Sequence, residues 1–194
     1  MSQSQCCRGV RLRRKLHGLI LEPLTGASAR DYFALFQIEP GFQLDNAVLE
    51  RAYHSLLSQF HPDRFAGKPQ VEQRLAAQLC ADINSGFRTL SDEVARAEYV
   101  LKRAGVDLKQ AEREGVGAAF LMTQIELRER LESSDDDDPA GHDALVLEIG
   151  EHYGAARDAF ASAAESERFE DAARHWQEMC YLAKLRDAAR PRAA

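Results

Sequence analysis

The sequence predicts an all-α protein built of two helical units. Apolar residues recur at spacings of three and four through most of the 194-residue chain, which is the pattern of amphipathic helices. Capping residues, glycines and prolines stand where these runs begin and end. No segment shows the strand-like alternation, flanked by hairpin turns, that is typical of a β-sheet. Because 45% of the residues are apolar, the chain can bury a substantial core.

The first unit begins with a short helix that is followed by a longer one. Residues 31–36 are predicted to form the short helix, with Asp31 as its cap, and the Pro40-Gly41 pair ends it. Asp45 caps the second helix, which extends to Phe60. One continuous apolar stripe runs along the second helix and consists of Val48, Leu49, Ala52, Tyr53, Leu56, Leu57 and Phe60. We expect this stripe to face the core of the first unit.

Two further helices complete the first unit. Pro69 suits the first turn of the third helix. The apolar positions of that helix are Leu75, Leu79, Ile83, Phe87 and Leu90. Ser91 is the expected cap of a fourth helix over residues 93–101, and Gly105 is a natural end for it.

Residues 105–117 contain three glycines and several charges, so we predict a linker there. The second unit, residues 118–194, is predicted to be an antiparallel three-helix bundle, because two short connections join three helical runs. Phe169 and Trp176 are expected to fill its core or its end. The three helices are expected at about residues 118–132, 142–164 and 169–189.

The tripeptide His61-Pro62-Asp63 separates the second and third helices of the first unit. A proline lacks a backbone donor and disfavours the helical conformation in the residue before it, so the second helix must end here. His61 and Asp63 are therefore displayed on a fixed loop. Neither a second carboxylate nor a nucleophile lies beside them in sequence, which favours docking to a basic partner over catalysis. The alternatives are that Asp63 merely caps the next helix and that His61 is a structural hydrogen-bonding residue.

The charge of the chain is unevenly distributed. Residues 1–30 carry six basic side chains and one acidic side chain, although the whole chain has a net charge of -6. An acidic body argues against a general nucleic-acid binder. We interpret residues 1–30 as a disordered leader and expect a bacterial cytoplasmic protein, with an Arg-rich mitochondrial transit peptide as the less favoured alternative. No stretch approaches the roughly 18 apolar residues of a membrane span.

The sequence predicts neither a metal site nor a cofactor. The four cysteines form no C-x-x-C pair, and Cys80 and Cys180 fall within helical patterns as small buried apolar groups. The run Asp135–Asp138 lacks the alternating ligands and central glycine of a calcium loop, so it indicates a solvated loop. The histidines of the second unit are too far apart for an obvious ligand set; they are His142, His152 and His175. A small metal-dependent enzyme remains the alternative from another class.

The helix that begins near residue 118 has apolar residues on two faces, which lie on nearly opposite sides at about 100° per residue. The two faces consist of Phe120, Leu127 and Leu131 on one side and of Leu121, Met122 and Ile125 on the other. One face can belong to the bundle core. The other meets either a neighbouring element or a partner, because large exposed apolar patches usually mark interaction sites. Periodicity alone does not distinguish the two faces.

The residues now described resemble a J domain joined to the second unit of the HscB co-chaperones, which serve iron-sulfur cluster assembly. The resemblance extends from Asp31 to Leu185 and leaves the leader outside. It is carried by five segments: Asp31-Tyr-Phe-Ala-Leu-Phe36, His61-Pro-Asp-Arg-Phe65, Ile83-Asn84, Arg96-Ala-Glu-Tyr99 and Phe120-Leu-Met-Thr-Gln-Ile-Glu-Leu-Arg-Glu129. It implies a J domain at residues 31–104 that stimulates the ATPase of an HscA-type chaperone. It also implies a bundle at residues 118–194 that holds the scaffold protein IscU.

The same resemblance implies two sets of binding residues and no enzymatic activity, bound nucleotide or other cofactor. The chaperone-binding residues it implies are His61, Pro62, Asp63, Arg64, Arg51 and Lys68. The scaffold-binding residues it implies are Leu121, Met122, Ile125, Glu126, Glu129 and Tyr181. The second helix offers mainly Arg51 as a basic docking residue, and Arg64 stands where lysine is common in J domains, which keeps the charge.

The sequence leaves two alternatives to this function open. One is a J-domain co-chaperone for a different client, although the chain lacks the Gly/Phe-rich segment and cysteine repeats of general-purpose J proteins. The other is a non-enzymatic helical adaptor, in which the His-Pro-Asp tripeptide has no docking role. Both predict a protein that binds proteins but neither nucleic acid nor a membrane.

Overall fold

The computed structural model of the chain describes residues 31–133 and 138–190. The predicted leader and most of the Asp135–Asp138 run lie outside these residues. The described residues are helical throughout and contain no strand, as the sequence predicts. The helices are α1 (Tyr32–Phe36), α2 (Asn46–Phe60), a 3-10 helix (Pro62–Phe65), α3 (Gln70–Ser91), α4 (Glu93–Arg103), α5 (Leu108–Glu114), α6 (Ala118–Glu132), α7 (Pro139–Glu165) and α8 (Phe169–Ala188).

The first unit packs α1 against the hairpin of α2 and α3. Its buried core consists of Phe33, Leu35, Phe36, Leu49, Ile83 and Leu90. Tyr53 and Phe60 pack against this core and are partly buried, so most of the stripe along α2 faces inward as predicted. Val48 is the exception, because it is 38% exposed. Gly86 allows α1 to approach α3 closely, because a Cβ atom at this position would lie 2.9 Å from Cδ1 of Tyr32.

Side-chain caps set several of the helix boundaries. The Asp45 carboxylate accepts a hydrogen bond from the amide of Ala47 at 2.8 Å, which confirms it as the cap of α2. The prediction that Ser91 caps α4 is wrong. Ser91 is the last residue of α3, and Asp92 caps α4 by accepting from the amide of Ala95 at 2.7 Å. The carboxylate next to the serine thus takes the capping position.

Gly105 ends α4 as predicted. Its φ is +82°, in the left-handed region that favours glycine. The amide of Gly105 donates to the carbonyl of Lys102, and the amide of Val106 donates to the carbonyl of Leu101, both at 3.1 Å. This pair of bonds is the Schellman arrangement, which satisfies carbonyl groups that the end of the helix leaves without partners.

The segment 105–117, predicted as a linker, contains α5, which the sequence analysis did not predict. Asp107 caps α5, and Ala111 is buried in the core that the bundle forms. The described residues from Tyr32 onwards form one compact unit. The domain boundaries at residues 104 and 117 therefore remain predictions.

Helices α6, α7 and α8 form the bundle, and the bounds of α6 agree with the prediction. Helix α7 begins at Pro139 rather than near His142, because the Asp138 carboxylate caps it by accepting from the amide of Gly141 at 3.0 Å. Trp176 is buried and Phe169 packs against the bundle core, as expected. Cys80 and Cys180 are only partly buried. Burial raises the pKa of the Cys180 thiol to about 11.

The first unit and the bundle share a packed interface. Phe42, from the segment between α1 and α2, is buried in the bundle core with its ring centroid 4.6 Å from that of Phe160. The guanidinium of the buried Arg96 lies 5.3 Å from the centroid of the Phe42 ring. Across the same interface, the Tyr153 hydroxyl donates to the Glu93 carboxylate at 2.9 Å. Apolar packing and a charge-assisted hydrogen bond thus hold the two parts in a defined orientation.

Candidate partner-binding surfaces

The His-Pro-Asp loop is a tight turn between α2 and α3. His61 leaves the helical conformation with a ψ of 132°, which agrees with the restriction imposed by the following proline. Pro62 then begins the 3-10 helix, where its missing amide hydrogen needs no partner. The Nδ1 atom of His61 lies 3.4 Å from the amide nitrogen of Asp63, so an unprotonated Nδ1 caps this short helix. His61 therefore has the structural hydrogen bond that the sequence allowed for.

The Asp63 side chain projects into solvent and is 89% exposed. Its Oδ2 atom lies 3.5 Å from Nδ1 of His61, which is a weak contact for a carboxylate. The alternative that Asp63 caps the next α-helix is wrong, because α3 begins seven positions later, at Gln70, after Pro69. A charged group that is exposed on a short, turn-restricted loop is suited to recognition by a cationic partner.

Basic residues flank this loop, and one of them also holds it. Arg64 Nη1 donates to the Ser58 carbonyl at 2.7 Å and so ties the loop to the last turn of α2. Arg51 and Lys68 are exposed on α2 and just beyond the 3-10 helix, respectively. Five of the six predicted docking residues therefore lie on or next to the loop, whereas Arg51 lies ten positions before it on α2. Arg64 also has a bracing contact that the sequence did not indicate.

Helix α6 buries one of its two apolar faces and exposes the other. Leu127 is 1% exposed, and Phe120 and Leu131 pack against the bundle core. On the opposite side, Leu121 is 39%, Met122 64% and Ile125 50% exposed. The alternative in which both faces are buried is therefore wrong.

Tyr181 on α8 is a further exposed aromatic residue, and it contacts α6 through Phe120, on the inner face of that helix. Its ring centroid lies 6.2 Å from that of Phe120, and the residue is 39% exposed. Lys184 places its ammonium group 5.9 Å from the Tyr181 ring, and Glu126 and Glu129 are exposed on α6. We call Leu121, Met122, Ile125, Glu126, Glu129 and Tyr181 the bundle patch. It has an apolar centre and charged neighbours, as specific interfaces do.

A bidentate ion pair connects α6 to α7. The two guanidinium nitrogens of Arg130 donate to the Glu148 carboxylate at 2.8 and 2.7 Å. These hydrogen bonds hold the pKa of Glu148 below its ordinary value. Because α6 carries the bundle patch, the ion pair helps to orient it.

The described residues hold no group of three or more His, Cys, Asp or Glu side chains that could bind a metal ion. Two of the histidines considered in the sequence analysis have other contacts. His142 Nε2 lies 3.0 Å from the Ala189 carbonyl, and His175 Nδ1 lies 2.8 Å from the Glu178 carboxylate. No helix in the described part of the chain is both long and apolar enough to cross a membrane.

Sequence reasoning missed Gln73, whose side chain hydrogen-bonds to the loop backbone. Its partners lie five and seven positions earlier in the chain, and such spacings leave no periodic signal. It missed Phe42 for a similar reason, because an aromatic residue in a connecting segment gives no indication of the core in which it is buried.

Comparisons with known proteins agree with this architecture. The family model described as the HSCB C-terminal oligomerisation domain matches residues 116–190. The Co-chaperone protein HscB homolog of Shewanella baltica is 35% identical over 162 residues, which are 81% of this chain and 93% of that protein. This chain belongs to the HscB co-chaperone family. The HscB homolog of Aromatoleum aromaticum is 48% identical over 105 residues, and this match spans 59% of that protein and 54% of this chain.

Solved HscB structures have the same fold. The chaperone HscB from Vibrio cholerae matches with a TM-score of 0.75 and 30% identity, covering 82% of this chain and 94% of that one. The human co-chaperone protein HscB matches with a TM-score of 0.78 over 84% of this chain and 82% of its own, and at 24% identity it shows the fold alone. The resemblance inferred from the sequence is confirmed, as is the all-α fold of an N-terminal J domain and a C-terminal helical bundle.

Proposed function

We propose that this HscB-family protein is a non-enzymatic co-chaperone in iron-sulfur cluster assembly. Its J domain stimulates the ATPase of an HscA-type chaperone, and its bundle delivers an IscU-type scaffold protein to that chaperone. It acts in the bacterial cytoplasm. The observation that carries the proposal is the joint exposure of Leu121, Met122 and Ile125 on a helix whose other face is buried.

Burial of the bundle patch supplies the affinity for the scaffold protein. An exposed apolar centre gains free energy when a partner removes it from water, at about 25 cal/mol per Å². Glu126 and Glu129 lie beside that centre and favour a partner with basic groups at the matching positions. The scaffold protein therefore binds through apolar contact, and the acidic neighbours set its orientation.

The loop around Asp63 supplies the contact with the chaperone. Its carboxylate is exposed and its backbone is held by the proline turn and by Arg64, so docking orders few additional groups. Stimulation of ATP hydrolysis requires that the J domain bind the hydrolysis-competent state of the chaperone more tightly than the other states. The J domain itself needs no nucleotide for this role.

The experiment that tests the proposal is steady-state ATP hydrolysis by an HscA-type chaperone in four mixtures: alone, with this protein, with IscU, and with both. We expect this protein to stimulate hydrolysis and IscU to raise the stimulated rate further. Stimulation that does not respond to IscU would retain the J-domain role and point to a different client. No stimulation at all would contradict the proposal and favour a helical adaptor.

A further inference from the structure

Gln73, in the first turns of α3, holds the end of the His-Pro-Asp loop although it lies outside the predicted docking residues. Its Nε2 atom donates to the Lys68 carbonyl at 2.8 Å and to the Ala66 carbonyl at 3.2 Å. One side-chain amide thus fastens two backbone carbonyls of the segment that leads from the 3-10 helix to α3. Both hydrogen atoms of the amide group can be used, one for each carbonyl.

The loop is therefore braced on both sides. Arg64 ties it to α2 through the Ser58 carbonyl, and Gln73 ties it to α3. Asp63 immediately precedes Arg64 and lies three positions before Ala66, the first carbonyl that Gln73 holds. In the described part of the chain, the Asp63 carboxylate approaches Nδ1 of His61 at 3.5 Å. The position of the Asp63 carboxylate thus depends on the backbone that the braces hold.

We propose that Gln73 is a positioning residue for chaperone docking, an inference that rests on the proposed function. It acts through the loop backbone and does not itself contact the partner. When only a fraction of the molecules has the docking-competent loop, the apparent dissociation constant rises in inverse proportion to that fraction. Gln73 keeps this fraction high, so its loss weakens docking without changing the docked complex.

The test uses the full-length protein with Gln73→Met, which keeps the length of the side chain and its helix propensity but removes the donor without adding charge. We expect the concentration that gives half-maximal ATPase stimulation to rise by up to about tenfold, the upper limit that losing a typical net hydrogen bond or two sets. The stimulated rate at saturation stays at the wild-type value. Gln78→Met, at an exposed position of the same helix, is the matched control and leaves both quantities unchanged.

Two further measurements separate positioning from general destabilisation. Amide hydrogen exchange at Ala66 and Lys68 is expected to be faster in Gln73→Met than in the wild type, whereas exchange in the core of α3 is unchanged. The dissociation constant for IscU is also expected to stay at the wild-type value. A Gln73→Met protein with wild-type half-maximal concentration and wild-type exchange would overturn the inference. If the wild type itself failed to stimulate the chaperone, both the proposed function and the docking role of Gln73 would be contradicted.

Discussion

Asp63 is the residue on which the proposed chaperone docking is expected to depend most, because it combines a formal charge, high exposure and a restricted backbone. His61 and Pro62 serve it indirectly. The proline ends α2, and the imidazole caps the 3-10 helix, so both fix where the carboxylate lies. A single exposed charge can be removed without disturbing the core, which makes the role of Asp63 separable from folding.

Asp63→Asn is expected to raise the half-maximal concentration for ATPase stimulation by roughly tenfold or more, since hydrogen bonds to a charged group are worth about 1.5–3 kcal/mol. The free energy of unfolding is expected to change by no more than about 0.5 kcal/mol, as for other surface substitutions. ATPase titrations and urea denaturation measure the two quantities. Asp143→Asn, at an exposed position on α7, is the control that leaves stimulation unchanged. Unchanged stimulation by Asp63→Asn would remove the docking role.

At the scale of the helices, α6 has two functions on two faces. Its inner face supports the bundle through Leu127, and its outer face presents Leu121 and Met122. A substitution on the inner face is expected to lower stability and leave scaffold binding unchanged, and a substitution on the outer face is expected to do the reverse. Substitutions within one helix can therefore test which face is buried and which binds the partner.

Leu121→Ala combined with Met122→Ala is expected to weaken binding of the IscU-type scaffold by about 2–4 kcal/mol, the range for central interface anchors. Thermal stability is expected to change less than for a core residue, because Met122 is 64% and Leu121 39% exposed. Calorimetric titration and helicity by circular dichroism check the two statements. A wild-type dissociation constant in a well-folded double variant would show that the scaffold binds elsewhere.

Leu127→Ala is the complementary change on the inner face. The side chain is 1% exposed, and its truncation is expected to lower the free energy of unfolding by about 2–5 kcal/mol through lost burial and a cavity. The molecules that remain folded are expected to bind the scaffold with wild-type affinity. Urea denaturation that showed no loss of stability would contradict the assignment of this face to the core.

The sequence predicts α6 well because a long amphipathic run has a period that local chemistry determines. It does not predict which apolar face is buried, since that depends on where α7 and α8 pack. It also misses α5, whose only buried residue is Ala111, so that no apolar stripe marks this helix. The predicted start of the second bundle helix near residue 142 is late, because Pro139 occupies the first turn of α7 after its Asp138 cap.

The residues of the candidate site also differ in whether local sequence or tertiary packing determines them. Five of the six residues proposed to dock the chaperone lie in one short segment, residues 61–68, and were predictable from local sequence and the family resemblance. Gln73 was not predictable, because its contact with the loop depends on the angle between the loop and α3. Tyr181 entered through the resemblance alone, since periodicity does not bring α8 beside Phe120.

At the scale of the whole molecule, the J domain and the bundle are packed together rather than loosely joined. The Tyr153 hydroxyl donates to the Glu93 carboxylate across their interface, and burial together with this bond raises the pKa of Tyr153. The guanidinium of Arg186 lies 4.1 Å from the centroid of the Tyr153 ring, and this cation–π contact helps to hold the ring in place. The His-Pro-Asp loop and the bundle patch are thus parts of one packed unit.

A double-mutant cycle measures the strength of the Tyr153–Glu93 hydrogen bond between the bundle and the J domain. Tyr153→Phe and Glu93→Ala are expected to show a coupling free energy of about 1–2 kcal/mol in urea denaturation, because each removes the same charge-assisted hydrogen bond. The control cycle replaces Glu93→Ala by Glu151→Ala, at an exposed position of α7, and is expected to be additive within about 0.5 kcal/mol. Additivity in the first cycle would show that this bond does not contribute to the interface.

We propose that one molecule presents the scaffold to the chaperone, with both surfaces on the same chain. The decisive experiment mixes two defective proteins, Asp63→Asn and the Leu121→Ala, Met122→Ala double variant, in the ATPase assay with the IscU-type scaffold. The mixture is expected not to recover the scaffold-dependent increase in hydrolysis that the wild type gives, because no molecule has both surfaces intact. Recovery to the wild-type rate would contradict the claim, since the two surfaces would then act equally well on separate molecules.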